Sequence, residues 1–201
     1  MFRTQPRLYK LIQTRLKPDS DKEKIDKSIW DLFGEEWSIM FTDLSGFSSS
    51  VAESGIIHFL QRIYESERLL SPVIEDNDGL LLKVEGDSML IIFRNVDKAV
   101  NCALEMQRKL SPYNKAKADE DKVLLCLGLG YGKVLKIGNE NVYGPEVNLA
   151  SKLGEDTAKA GEILLTQAVK DKISNKDFKF REIDEVFKGS GKAFQLLYEF
   201  E

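Results

Sequence analysis

Apolar residues follow two kinds of pattern along the chain, short continuous runs and helical spacing, and together these predict a mixed α+β domain. Short apolar runs, typical of buried strands, cover residues 37–42, 80–84, 88–93 and 123–131. Apolar positions at helical spacing predict helices over 24–33, 51–74 and 95–110. Weaker patterns predict helices near 146–154 and 167–173, and strands at 162–166, 178–183 and 193–200. Glycines after residue 131 predict a bend, with 132–137 as the hairpin partner of 123–131.

The order of these elements predicts the fold class. It is α+β, with a ferredoxin-like βαββαβ core in which a palm-type antiparallel sheet carries helices on one face. Extra strands and an N-terminal helical extension complete it. We place the extension at residues 1–36 and the domain at 37–201, and we expect the charged segment 113–122 to be a solvated loop.

Residues 1–17 form a basic arm, because they contain arginine and lysine but no acidic residue. Leu8, Leu11, Ile12 and Leu16 fall at helical spacing within it. This profile is typical of a transit peptide, of a membrane-surface helix, or of a helix that docks on an acidic domain. We favour docking on the domain.

Composition narrows the class of protein. With 201 residues, 42% of them hydrophobic, the chain suits one globular domain with a short extension. A net charge of −4 gives no reason to expect a nucleic-acid partner. Because no apolar run is long enough to cross a bilayer and no signal peptide opens the chain, we expect no transmembrane segment and a cytoplasmic location. Cys102 and Cys126 are expected in the core, and His58 on a helix surface.

Candidate chemistry lies at two aspartates. Asp43 follows the apolar run 37–42, and Asp87 lies in the Gly86 turn between the strands 80–84 and 88–93. If the first strand lies beside this hairpin, the two carboxylates face each other at one sheet edge. They would suit Mg²⁺ or Mn²⁺ with a bound triphosphate. Either aspartate alone is better explained as a turn residue satisfied by backbone amides.

The surrounding residues resemble the catalytic core of the class III nucleotide cyclases, the adenylate and guanylate cyclases. That family carries a strand ending in Phe-x-Asp-Ile/Leu-x-Gly-Phe, matched here by Phe41, Asp43, Gly46 and Phe47. It then carries a hairpin with Lys or Glu before Gly-Asp, matched here by Lys83 and Gly86-Asp87. Two further motifs, at 141–153 and 188–192, follow in the family's order, so the resemblance covers residues 37–197.

The resemblance implies a role for each matched residue. Asp43 and Asp87 would hold two Mg²⁺ or Mn²⁺ ions, and the ribose 3′-hydroxyl would attack the α-phosphorus and expel pyrophosphate. The remaining roles are as follows: Asn148 orients the ribose, Lys152 stabilises the transferring phosphoryl group, Lys83 and Asn141 read the base, Lys188 meets the terminal phosphates, and the amides of Leu44, Ser45, Gly46 and Phe47 cradle the phosphates.

One position departs from the family pattern. Family members carry an arginine where this chain has Lys152, and lysine lacks the planar bidentate fork. Three outcomes stay open: a slower enzyme, a site rearranged around lysine, or a regulatory module that binds nucleotide without turning it over.

The resemblance also implies a partner and a substrate. Because one site takes its metal aspartates and its base-reading residues from different subunits, a homodimer is expected, helped by the apolar helical face of residues 25–33. Lysine at 83 and asparagine at 141 suit adenine, so ATP is favoured and CTP is the alternative. An RNA-binding domain and a palm-type dinucleotide cyclase are disfavoured, because an aromatic-rich central strand and a Gly-Gly-acidic hairpin are both lacking.

Overall fold

The fold is an eight-stranded sheet with helices on both faces, seen in a computed structural model that describes residues 4–46, 55–183 and 191–200. The helices are α1 (Thr4–Arg15), α2 (Lys22–Phe33), α3 (Ile56–Asp76), α4 (Val96–Lys115), α5 (Pro145–Ser151) and α6 (Gln167–Lys172). The strands are β1 (Gly34–Leu44), β2 (Leu80–Glu85), β3 (Ser88–Phe93), β4 (Leu125–Ile137), β5 (Asn141–Tyr143), β6 (Ile163–Thr166), β7 (Lys179–Ile183) and β8 (Ala193–Leu197). A 3₁₀ turn spans Asp119–Asp121, and a π-helical turn spans Lys152–Thr157.

The predicted ferredoxin-like core is confirmed. The strand order is β2-β3-β1-β4-β6-β8-β7, with β5 beside the end of β4, and β1-α3-β2-β3-α4-β4 form the βαββαβ unit. The long helices α3 and α4 bury Leu70, Ile74 and Met106 against one face of the sheet. An addition to this core, α5, packs on the opposite face, where Val147 and Ala150 meet Ile39 of β1.

Strand β4 corrects the predicted bend after residue 131. It runs unbroken from Leu125 to Ile137 because β1 pairs with it along its length, from Leu44↔Leu125 to Gly34↔Leu135. Its glycines serve another purpose, which is the close approach of α5. A Cβ atom on Gly128 would lie 2.2 Å from the Ala150 carbonyl oxygen. These glycines therefore let a helix rest directly on the strand.

The basic arm docks on the domain, as predicted. Helix α1 packs Leu8 and Leu11 against Ile29 and Phe33 of α2 and Ile137 of β4. Asp21 caps α2, because its side chain accepts a hydrogen bond from the Lys24 amide. No helix in the described ranges is long and apolar enough to cross a membrane.

Two smaller expectations were wrong, and one was confirmed. Helix α4 continues to Lys115, into the segment 113–122 that was expected to be a loop. His58 is not a surface residue, because its side chain is only 19% exposed and its Nε2 lies 2.8 Å from Asp121 Oδ1. Cys102 and Cys126 are buried, free thiols, and burial raises their pKa values to about 12 and about 11.

Candidate active site

Asp43 and Asp87 meet where the end of β1 lies beside the β2–β3 turn. The register aligns Thr42 with Met89, and the Thr42 hydroxyl accepts a hydrogen bond of 3.1 Å from the Met89 amide. Gly86 turns the hairpin in the left-handed region, with φ of 61°, which costs glycine little. The two carboxyl groups come close enough to share a hydrogen bond. Asp43 lies inside the strand rather than after it, since β1 extends to Leu44.

Burial makes this carboxyl pair difficult to ionise. Desolvation, together with the nearby carboxylates of Asp87 and Glu155, raises the pKa of Asp43 to about 7. Desolvation likewise raises the pKa of Asp87, against the opposing charge of Arg62. Two adjacent carboxylates that resist ionisation are stabilised in the charged form when a cation binds between them.

The pair fits a hard divalent cation. Magnesium is commonly held by one or two carboxylates, with water and substrate phosphates as its other ligands. No larger cluster of histidine, cysteine and acidic residues that would form a protein cage occurs in the part of the chain that the structure describes. The donor set at Asp43 and Asp87 therefore suits an ion shared with a triphosphate.

The residues predicted to cradle the phosphates, 44–47, lie at and after the end of β1. The Ser45 amide donates a 2.8 Å hydrogen bond to the Leu124 carbonyl, so it faces β4 and does not face a phosphate. The Leu44 amide is directed at the Asp43 and Asp87 carboxyl groups. Gly46 is exposed with φ of 75°, and Phe47 lies outside the described residues. The Ser45 amide is therefore engaged within the fold, and the contacts of the Leu44, Ser45, Gly46 and Phe47 amides with phosphates stay predictions.

Asn148 and Lys152 lie four residues apart, on one exposed face at the C-terminal end of α5. The Lys152 Nζ atom forms a 2.7 Å ion pair with Asp156, and half of its side chain is exposed. Glu155, in the following turn, accepts a 2.7 Å hydrogen bond from the Ser88 hydroxyl beside Asp87. This contact ties the end of α5 to the hairpin that carries Asp87.

The predicted base-reading residues do not contact one another. Lys83 forms an ion pair with Glu85 on the edge strand β2, and Asn141 pairs in register with Ile137. On β4, Ile137 lies eleven positions from Cys126, the register partner of Asp43. The metal candidates and Asn141 therefore lie at opposite ends of β4. Lys188 lies outside the described residues.

Comparison with known proteins identifies the family. The model of the adenylate and guanylate cyclase catalytic domain matches residues 34–199. The chain belongs to this family. It is 28% identical over 132 residues to the serine/threonine-protein kinase pkn2 of Myxococcus xanthus, covering 66% of this chain and 16% of that protein. It is 28% identical over 177 residues to the terminal-differentiation-specific adenylate cyclase of Dictyostelium discoideum, covering 79% of this chain and 8% of that one.

The fold of this cyclase domain is also found in solved structures. The catalytic core of a rhodopsin-guanylyl cyclase with converted specificity, in complex with ATPαS, superposes with a TM-score of 0.69 at 19% identity. The match covers 83% of this chain and 98% of that one. By contrast, the chain spans less than a fifth of the length of the curated relatives it matches first.

Two residues near the carboxyl pair were not predicted from the sequence. Arg62 of α3 is 5% exposed, and its charge lowers the pKa of Asp87. Helical spacing from the apolar Leu70 through Ser66 to Arg62 was a usable signal, because it puts this arginine on the buried face. Glu155 carried no such signal, since its proximity to Asp43 depends on how α5 ends.

Proposed function

We propose that this cyclase domain converts ATP into 3′,5′-cyclic AMP and pyrophosphate, with Mg²⁺ or Mn²⁺, two ions per site, at a homodimer interface. The observation that carries the proposal is the half-buried pair of Asp43 and Asp87, whose pKa values partial burial raises. A site that disfavours its own charge is poised to bind cations, and a metal-bound triphosphate supplies them.

The chain's own residues have distinct roles in this proposal. Asp43 and Asp87 hold the metal ions, which when bound supply Lewis acidity at the reacting phosphate. Asn148 orients the ribose, and Lys152 stabilises charge that develops on the α-phosphoryl group. Gly46 and Lys188 contact the phosphates, while Lys83 and Asn141 read the base.

Two observations support a site shared between two copies. Asn141 and Asp43 lie at opposite ends of β4 in the strand register, which is consistent with a nucleotide that contacts Asp43 of one copy and Asn141 of the other. Apolar side chains are also exposed on α3 and β2, including Ile57 at 75% and Leu60 at 52%. On the α2 face expected to help, Ile29 and Phe33 pack within the chain, whereas Leu32 is 52% exposed.

Subunit complementation tests the shared site. Asp43→Ala and Lys83→Ala proteins should each be nearly inactive, whereas their mixture should recover up to one complete site per heterodimer. Activity is measured after subunit exchange, which is followed separately with differently labelled chains. The control mixes Asp43→Ala with Asp87→Ala, which share the same defect and should recover nothing. No recovery in the first mixture, despite proven exchange, would contradict the split site.

A competition among the four nucleoside triphosphates under Mn²⁺ tests the substrate. Lys83 donates to adenine N1, and the Asn141 carbonyl accepts from the 6-amino group, so ATP should be preferred over GTP by at least about tenfold. CTP presents the same acceptor and amine on a smaller ring and should rank next. Faster turnover of GTP than of ATP would overturn the roles given to Lys83 and Asn141.

One observation favours an alternative function. Lys152 stands where the family has arginine, and its ammonium is already paired with Asp156. A regulatory module that binds nucleotide without turnover is consistent with this pair. Nucleotide binding without any cyclic product, in the same four-nucleotide assay, would favour that alternative.

A further inference from the structure

Glu85 lies on the β2–β3 hairpin between the base-reading candidate Lys83 and the metal candidate Asp87. Side chains two residues apart on a strand point to the same face of the sheet. The Lys83 Nζ atom and the Glu85 carboxylate accordingly form an ion pair. Both remain open to solvent, with side chains 45% and 68% exposed. The hairpin therefore presents a donor and an acceptor side by side.

We propose that Glu85 is a second base-reading residue, which accepts hydrogen bonds from the nucleobase while Lys83 donates one. The inference rests on the proposed cyclase function and deepens it, because it changes which bases the site admits. Lys83 alone can only donate, and Glu85 as a carboxylate can only accept. Together they match any base edge that places an acceptor next to an N–H group.

The pair accommodates guanine as well as adenine, but with a different dependence on Glu85. Adenine needs one acceptor, for its 6-amino group, and one donor, for N1. Guanine offers O6 to Lys83 and both N1–H and the 2-amino group to a carboxylate, so it makes two hydrogen bonds with Glu85. Glu85 therefore contributes more to the binding of GTP than to the binding of ATP. Lys83 and Asn141 by themselves would favour ATP, and Glu85 makes this preference smaller.

A different role for Glu85 makes a different prediction. Charged residues on an exposed edge strand such as β2 also prevent sheets from pairing between molecules. Exposed ion pairs contribute little to stability. If Glu85 only protects this edge, its replacement changes solubility and leaves the relative use of nucleotides unchanged.

Replacing Glu85 with leucine separates these roles. Turnover and dissociation constants are measured for ATP, GTP and ITP with Mn²⁺. Because inosine lacks the 2-amino group of guanine, the wild-type protein should prefer GTP over ITP, and Glu85→Leu should treat them alike. In Glu85→Leu, the kcat/KM for ATP divided by the kcat/KM for GTP should rise about tenfold. The reason is that guanine loses two charge-assisted hydrogen bonds to Glu85, whereas adenine loses one. Glu85→Gln keeps an acceptor oxygen and should give an intermediate ratio.

The matched control is Asp78→Asn, which removes a similar ion pair away from the hairpin turn. Asp78 and Lys98 are 73% and 48% exposed, close to the values for Glu85 and Lys83. Asn suits the positive φ of 55° at this position. This variant should leave all nucleotide ratios unchanged.

Each outcome decides something. An unchanged ratio in folded Glu85→Leu protein overturns the base-reading role and leaves the cyclase proposal standing. An equal loss for all three nucleotides also overturns it, because it indicates a general electrostatic effect on the Asp87 turn. If the wild-type protein binds none of the triphosphates, the proposed function fails and this inference fails with it.

Discussion

Asp43→Ala should lower nucleotide turnover by at least about 10³-fold, because it removes one of two carboxylates that hold the metal and the triphosphate. The remaining Asp87 offers a single ligand, too few to hold ions against the triphosphate's own coordination. Cyclic product and pyrophosphate are measured under saturating Mn²⁺ and ATP. Asp31→Ala on the exposed surface of α2 is the control and should retain full activity.

The same variant should keep its fold, and the pH dependence of its stability follows from the raised pKa. In the unfolded chain Asp43 ionises near its ordinary value of 3.8, whereas in the folded chain it keeps its proton until about pH 7. Without metal, the fold therefore loses stability as pH rises between these values, and the loss persists above them. Asp43→Ala lacks this loss, so its melting temperature at about pH 8 should exceed that of the wild-type protein.

Binding of Mn²⁺ should favour the wild-type protein over Asp43→Ala in melting temperature, the reverse of the difference without metal. Mn²⁺ should raise the melting temperature of the wild-type protein, because it binds the folded state only, and should do much less for Asp43→Ala. Below about pH 4 the difference without metal should vanish, since Asp43 is protonated in both states. Full activity in Asp43→Ala would contradict the assignment of Asp43 as a metal ligand. A lower melting temperature at about pH 8 would show that the carboxyl group has a structural role instead.

Lys152→Ala should lower kcat by about 10²-fold and change nucleotide affinity little. The reason is that charge on the transferring phosphoryl group grows only towards the transition state, so a cation aimed at it contributes to turnover more than to binding. Lys152→Arg should retain or raise kcat, because arginine adds the planar fork that the family uses. Steady-state kinetics and equilibrium binding of a non-cyclising nucleotide analogue measure the two quantities separately.

Two controls isolate the role of Lys152. Lys159→Ala removes an exposed lysine from the loop after the π-helical turn, and it should leave kcat unchanged. Asp156→Asn releases Lys152 from its 2.7 Å ion pair, and it should raise kcat if that pair holds the ammonium away from the phosphate. An unchanged kcat in Lys152→Ala would show that Lys152 does not contribute to turnover. This result would favour the regulatory module.

The sequence predicted the meeting of Asp43 with Asp87 only on the condition that β1 lies beside the hairpin, whereas it determined by itself the βαββαβ core and the Gly86 hairpin. These features depend on local periodicity and on a turn residue, and such information is carried by neighbouring positions in the chain. The motif order also identified the family, because several short motifs at compatible spacing are far more specific than one of them. The assigned roles of Asn148, Lys152, Lys83, Asn141 and Lys188 stay predictions.

Only the tertiary structure decided where distant segments touch. The glycines of β4 resembled a bend in the sequence, but they accommodate α5, whose backbone lies against Gly128. The sequence predicted the Ser45 amide as a phosphate ligand, but in the structure this amide donates a hydrogen bond to the Leu124 carbonyl. Arg62 and Glu155 approach the carboxyl pair from two separate elements. Hydrogen bonds and charges between segments depend on three-dimensional distance, which a local pattern does not encode.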